Sequence, residues 1–190
     1  VKATRTITHE REGDLRGQAS EFVSALKPLQ EQGKFGCVLA QFPYSFHATD
    51  ENRSYLLRLR EAFGETPLVV EFRGRDWITG ETLDMLEELR VGFCCVDQPR
   101  LKGLIPPIVR ATGPVAYVRF HGRNAQKWWR HDEAWERYDY SYMPEELAEW
   151  VPKIRGLDEE APLTLVYTNN RWRGQAVDTA RQLRLMLRDA

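Results

Sequence analysis

The chain has 190 residues, 42% of them hydrophobic and 29% charged, with a formal net charge of −1. That length suffices for one domain with a buried core, and the near-neutral balance excludes the whole-molecule basic field of a non-specific nucleic-acid binder, so any anion site has to be local. No apolar run reaches the roughly 18 residues of a membrane span, no export signal is seen, and the three cysteines (Cys37, Cys94, Cys95) lack the spacing of a disulfide framework or a zinc site, which predicts a reducing, cytoplasmic setting.

In chain order, KATRTI at 2–7 reads as the tail of a strand that delivers Thr8-His9-Glu10. Residues 18–32 carry Phe22, Leu26 and Leu29 at helical spacing, with Pro28 predicting a kink and Gly33 a stop. FGCVLAQF at 35–42 is a nearly continuous apolar strand. Asp50 is the expected cap of a helix holding Tyr55, Leu56, Leu59 and Phe63, closed by Gly64. PLVVEF at 67–72 is the next strand, and Thr79 caps a helix with Leu83, Leu86 and Leu89.

VGFCCVD at 91–97 is again a strand, followed by a Pro- and Gly-rich irregular stretch at 98–114. VAYVRF at 115–120 leads into a long aromatic and charged loop. Pro144 opens a helix expected to run through Leu147, Trp150 and Ile154. LTLVYT at 163–168 is the last strand, and Ala176, Ala180, Leu183 and Leu187 mark the closing helix, 174–189.

Apolar strands alternating with helices predict an α/β domain built on a parallel sheet. No glycine-rich phosphate or dinucleotide fingerprint follows any strand, which leaves a TIM-barrel-like (β/α) barrel over residues 1–190 as a single domain. Five clear strands, against the eight of a complete barrel of typically ~250 residues, predict an incomplete one, with about the first two βα units absent from this chain.

In parallel α/β folds the site lies beyond the C-terminal strand ends. Those ends here are polar throughout: His9, Gln41, Glu71 with Arg73, Asp97, Arg119 with His121, and Asn169-Asn170. Period-two alternation puts Glu71 with Arg73, and Arg119 with His121, on common faces. The excess of arginine and histidine over acids predicts an anionic ligand, phosphate or carboxylate, gripped by planar guanidinium forks. His121, with Glu71 or Asp97, is the expected proton-transfer set. His9, Glu71, Asp97 and His121 are metal-ligand types without a ligand spacing, so no cofactor is predicted and a divalent metal stays open. The bland counterpart is a layer of structural ion pairs.

In the loop at 122–143, Arg123, Lys127 and Arg130 interleave with Trp128 and Trp129, and Tyr138, Tyr140 and Tyr142 recur at period two. Such a loop reads as a lid whose aromatics can also stack bases or sugars.

CVLAQFPYSF (37–46), VEFRGRDW (70–77), Asp97-Gln98-Pro99, YVRFHGR (117–123), YDYSY (138–142) and YTNN with Gly174 and Ala176, preceded by THE (8–10), occur in this order along essentially the whole chain. In this the sequence resembles the YecE-like family, a widespread family of domains of unknown function. The resemblance implies a TIM-barrel-like fold and an N-terminal portion that this chain lacks. Its recurring polar residues correspond to His9, Gln41, Glu71, Arg73, Trp77, Asp97, Arg119, His121, Arg123, Tyr140, Asn169 and Asn170, while Gly74 departs from the family's usual polar residue.

The leading expectation is an enzyme hydrolysing a phosphoester, in a nucleic acid or a sugar phosphate, at the barrel mouth. Arg73, Arg119 and Arg123 would hold the anion, His121 would move protons with Glu71 or Asp97, and Gln41 and Asn169 would orient substrate or water. The alternatives are a lyase or isomerase acting on a sugar or sugar acid, and a non-catalytic module that binds a ligand or nucleic acid. The sequence says nothing of oligomeric state.

Overall fold

The computed structural model describes residues 1–189. Helices separate the five strands except between β3 and β4, which an irregular stretch joins: α1 (Leu15–Ala25), α2 (Lys27–Glu31), β1 (Val38–Gln41), α3 (Asp50–Phe63), β2 (Leu68–Glu71), α4 (Gly80–Glu88), β3 (Gly92–Asp97), β4 (Val115–Phe120), α5 (Pro144–Ala148), α6 (Val151–Glu160), β5 (Leu163–Thr168) and α7 (Gln175–Asp189). The sheet order is β1-β2-β3-β4-β5 and every pair is parallel. This is a curled half-barrel, each strand lying beside its predecessor as in a (β/α) barrel.

Local chemistry explains the element boundaries. Pro28 and Pro152 lack the N–H that would bond the carbonyls of Ser24 and Ala148, and both predicted long helices break there, into α1/α2 and α5/α6. The cap of α3 is Thr49 rather than Asp50: Thr49 is extended and its side chain accepts from Asn52 N, which leaves Asp50 in the first turn, where a carboxylate suits the helix dipole. Thr79 caps α4 by accepting from Thr82 N.

The expected strand at 2–7 shrinks to a single parallel bridge, Lys2 to Leu39, after which Thr6–Glu10 coils into a π-helical turn. His9 therefore sits on a turn above the sheet and not on a strand end.

All residues of β2 and β3 are buried, as apolar strands covered on both faces should be. β5 pairs on one side only among the described residues, and its Leu163 and Tyr167 are 39% and 49% exposed. Between sheet and helices the core gathers Leu56, Leu59, Leu86, Ile154, Leu157 and Leu183. At the end of β1 and β2 a ladder of rings closes that core: Phe42 on Phe46 at 4.0 Å, Phe46 on Trp77 at 5.2 Å and Trp77 on Phe72 at 4.3 Å between centroids.

Candidate functional site

Strand register decides which polar ends meet. Gln41 pairs with Glu71, Cys94 with Tyr117, and Arg119 with Tyr167, so these residues share the inner face of the sheet. Asp97 pairs with Phe120, and Phe120 with Thr168, which sends all three to the helix face. A one-residue difference in parity therefore divides the expected polar rim into two separate clusters.

The inner cluster is centred on Glu71, which is completely buried. Arg119 Nη1 donates to Glu71 Oε2, Arg73 Nη2 lies 3.3 Å from Oε1, and His121 Nε2 lies 3.1 Å from Oε1. Arg119 also donates to Gln41 Oε1 at 3.3 Å, and Asn169 Nδ2 lies 3.2 Å from His121 Nδ1. Burial alone would raise the Glu71 carboxyl, but Arg73, His121 and Arg119 outweigh it and hold the carboxyl well below the usual carboxylate range. His121 is pushed down to about 4, by burial before all else and against the pull of Glu71. A neutral imidazole beside an ionised carboxylate carries its proton on Nε2, which donates to Glu71, while Nδ1 accepts from Asn169. Both ring nitrogens are thereby engaged, and the ring is fully buried beneath Tyr138, whose ring centroid is 6.2 Å away.

A cleft of about 270 Å³ opens beside this cluster, lined by His9, Gln41, Tyr44, Arg73, Trp129 and Tyr138 together with Arg137 and Trp128. Cations crowd it. Two guanidiniums share the one Glu71 carboxylate. Lys2 keeps an exposed side but lies close enough that partial burial and then the charge of Arg119 lower its pKa. Arg137, lying over the Trp128 ring at 5.6 Å, keeps a buried Nε with no hydrogen-bond partner. Trp129 is half exposed and packs edge-on to Tyr44 at 5.2 Å, whereas Trp128 is buried. The aromatic loop thus roofs one side of the cleft.

Asp97 anchors the outer cluster. Its oxygens accept from Arg123 Nε (2.9 Å) and Nη2 (2.7 Å), Tyr142 Oη (2.6 Å) and Trp150 Nε1 (2.7 Å). Four donors saturate a carboxylate that is 1% exposed. Arg123 is taken up in the same way, by Asp97, Glu146 and Glu149, and the Asp97 hydrogen bond above all raises its pKa. Tyr140 Oη donates to Glu146. Asn170 faces α7, donating to Thr179 Oγ1 and to the Tyr140 carbonyl. Trp77 is fully buried in the ring ladder and donates to the Phe46 carbonyl. Asp97, Arg123, Tyr140, Asn170 and Trp77 are thus committed to internal partners and do not line the cleft, unlike His9, Gln41 and Arg73.

Among the described residues no three of His, Cys, Asp and Glu gather as a metal-ligand set, Asp97 lying on the opposite face of the sheet from Glu71. Burial pushes the Cys37 and Cys95 thiols up to about 11 and holds the Cys94 thiol well above its ordinary value, so none is an activated nucleophile. Sequence reasoning missed Lys2, Tyr44 and Arg137. Lys2 comes near Arg119 and Glu71 only because residues 1–3 lie against β1, and neither of the others stands at a strand end, so no local pattern marks them.

A family model described as "Protein of unknown function DUF72" matches residues 1–190. The UPF0759 protein YunF of Bacillus subtilis (strain 168) is 31% identical over 198 residues, covering 96% of this chain and 70% of that protein. Among solved structures, a DUF72 family protein from Thermotoga maritima MSB8 superposes with a TM-score of 0.93 at 37% identity, covering 99% of this chain and 72% of that one. A DUF72 family protein from Enterococcus faecalis V583 gives 0.89 at 28% identity, covering 98% and 73%.

Proposed function

Because the chain belongs to the DUF72 family, whose name records no activity, its chemistry has to be read from the cleft, and we propose that the cleft binds a phosphate-bearing ligand and hydrolyses its phosphoester. The observation that carries this reading is the local charge: Lys2, Arg73 and Arg119 stand around one carboxylate, Glu71, and Arg137 joins Arg73 in lining the cleft, in a molecule of net charge −1. A dianionic phosphate supplies what that cluster lacks. A cleft of about 270 Å³ is close to the lower bound of ~300 Å³ for small-molecule sites, which suits a phosphate and one sugar or ring.

In this reading Arg73 and Lys2 hold the non-bridging oxygens, over which the charge of the transferring phosphoryl group is spread in the transition state. Glu71, with Arg119, His121, Gln41 and Asn169, forms a rigid floor that orients Arg73. His121, engaged at both nitrogens, acts as a positioning residue. Tyr44 and Trp129 offer ring faces to the ligand's organic part.

Calorimetry with inorganic phosphate tests the binding, and release of nitrophenol from p-nitrophenyl phosphate and bis(p-nitrophenyl) phosphate tests the reaction. Arg73→Gln is expected to weaken phosphate binding at least tenfold. Unchanged affinity in that variant would remove the cleft from consideration, and binding without turnover would leave a binding module.

A further inference from the structure

Histidine 9 lies over the cleft, and Thr8 sits where it can fix which ring nitrogen carries the proton. Thr8 Oγ1 donates its only hydroxyl proton to the Thr4 carbonyl at 3.0 Å, one turn back in the π-helical segment. The same oxygen lies 2.9 Å from His9 Nδ1. A Thr8 hydroxyl that spends its proton on Thr4 accepts from His9, and that arrangement makes Nδ1 the ring N–H. The ring is held neutral, first by partial burial and then by the cations Arg5 and Lys2, with Arg11 adding to them and Glu10 opposing. A neutral imidazole protonated on Nδ1 has a bare lone pair on Nε2, and His9 lines the cleft beside Arg73 and Arg137. An acceptor among cations is a poor ligand for phosphate oxygens but a good one for a water or hydroxyl proton.

We propose that His9 Nε2 is the proton acceptor of the cleft, which rests on the phosphoester-hydrolase reading above. A water held between Nε2 and the phosphate gives its proton to Nε2 as its oxygen bonds to phosphorus and the ester P–O bond breaks. The departing alkoxide takes a proton from solvent at the open mouth, and the imidazolium returns its own to solvent. Thr8 is the positioning residue that fixes the tautomer.

Two measurements on the full chain test this. The first needs no substrate: ring ¹⁵N shifts of His9 are expected to show Nδ1 protonated and Nε2 bare, and the opposite tautomer would overturn the proposal. The second uses the nitrophenyl phosphate probes with His9→Asn, whose amide can still donate to Thr8. Turnover is expected to fall at least 100-fold while inorganic phosphate binds within threefold of wild type, with partial rescue by added imidazole and loss of the acidic limb of the pH–rate profile. Wild-type turnover in His9→Asn would overturn the role of His9 and leave the hydrolase reading standing. Phosphate binding with no turnover even in the wild type would overturn both the hydrolase reading and the proton acceptor.

Discussion

Replacing Glu71 by Gln removes one charge and almost no volume, so it isolates what the buried carboxylate does. In the folded protein Glu71 is fully buried and receives Arg119, Arg73 at 3.3 Å and His121 at 3.1 Å. Both guanidinium side chains are nearly buried themselves, at 12% and 13% exposure. The amide turns an N–H toward at least one of these donors and leaves two desolvated cations without a counterion. Breaking a buried ion pair from one side costs about 3–5 kcal/mol, a fall in melting temperature of about 10 °C for a chain of this size. Urea unfolding of both proteins at pH 7 reads the difference directly.

The pH dependence of that difference follows from the carboxyl group itself. Glu71 is held below its ordinary 4.5 in the folded state, so its contribution is complete above that pH and is lost as pH falls through the folded value. The gap between wild type and Glu71→Gln is therefore expected to be constant above pH 4.5 and to narrow below it. A loss under about 1 kcal/mol at pH 7, or a gap that widens with acid, would refute the claim that this carboxylate holds the cations in place.

The other predictions concern separate parts of the molecule. His121 drops from an ordinary 6.5 to about 4 on folding, so the unfolded chain binds the extra proton between those values. About 3 kcal/mol of stability, complete above pH 6.5, is thus lost as pH falls to 4, and His121→Gln should flatten that slope in pH-dependent unfolding. Tyr142→Phe deletes a hydroxyl that donates to Asp97 at 2.6 Å and accepts from Gly122 N at 3.0 Å, at a cost of about 1–3 kcal/mol in thermal or urea unfolding. Gly122→Ala forces a side chain onto a backbone at φ +89, its Cβ only 2.8 Å from the Tyr140 Cβ. It should cost at least about 2 kcal/mol by the same assays and disturb the packing of the tyrosine segment. Lys2→Gln should leave the melting temperature within about 1 °C, since the residue is exposed, but weaken calorimetric phosphate binding several-fold, an effect that shrinks in high salt.

The strands were legible because each is a short apolar run between punctuation residues, and the parallel α/β class followed from their alternation with helices. Pairing Glu71 with Arg73, and Arg119 with His121, needs only the two-residue repeat of a single strand. Placing Asp97 against Glu71 needs the register between strands, which depends on how neighbouring strands slide past one another, and one residue of offset sends Asp97 to Trp150 and Tyr142 instead. Asn169 and Asn170 part in the same way, one to His121 and the other to Thr179. Both helix breaks fall at prolines visible in the sequence, although the apolar spacing around Pro152 reads as one continuous helix.

By itself, then, the amino-acid order determined what is short-range: the strands, most helix limits, and the presence of an acid, an imidazole and guanidiniums at strand ends. Tertiary structure decided which of them meet. Two arginines converge on Glu71, Arg123 is spent on three carboxylates, Lys2 comes near Glu71 and Arg119 from a bridge to β1, and His9 reaches the cleft from a π-turn. The physical reason is that buried charges must find partners wherever the packed chain supplies them, and those partners lie as many as 78 residues apart, as Arg119 and Gln41 do.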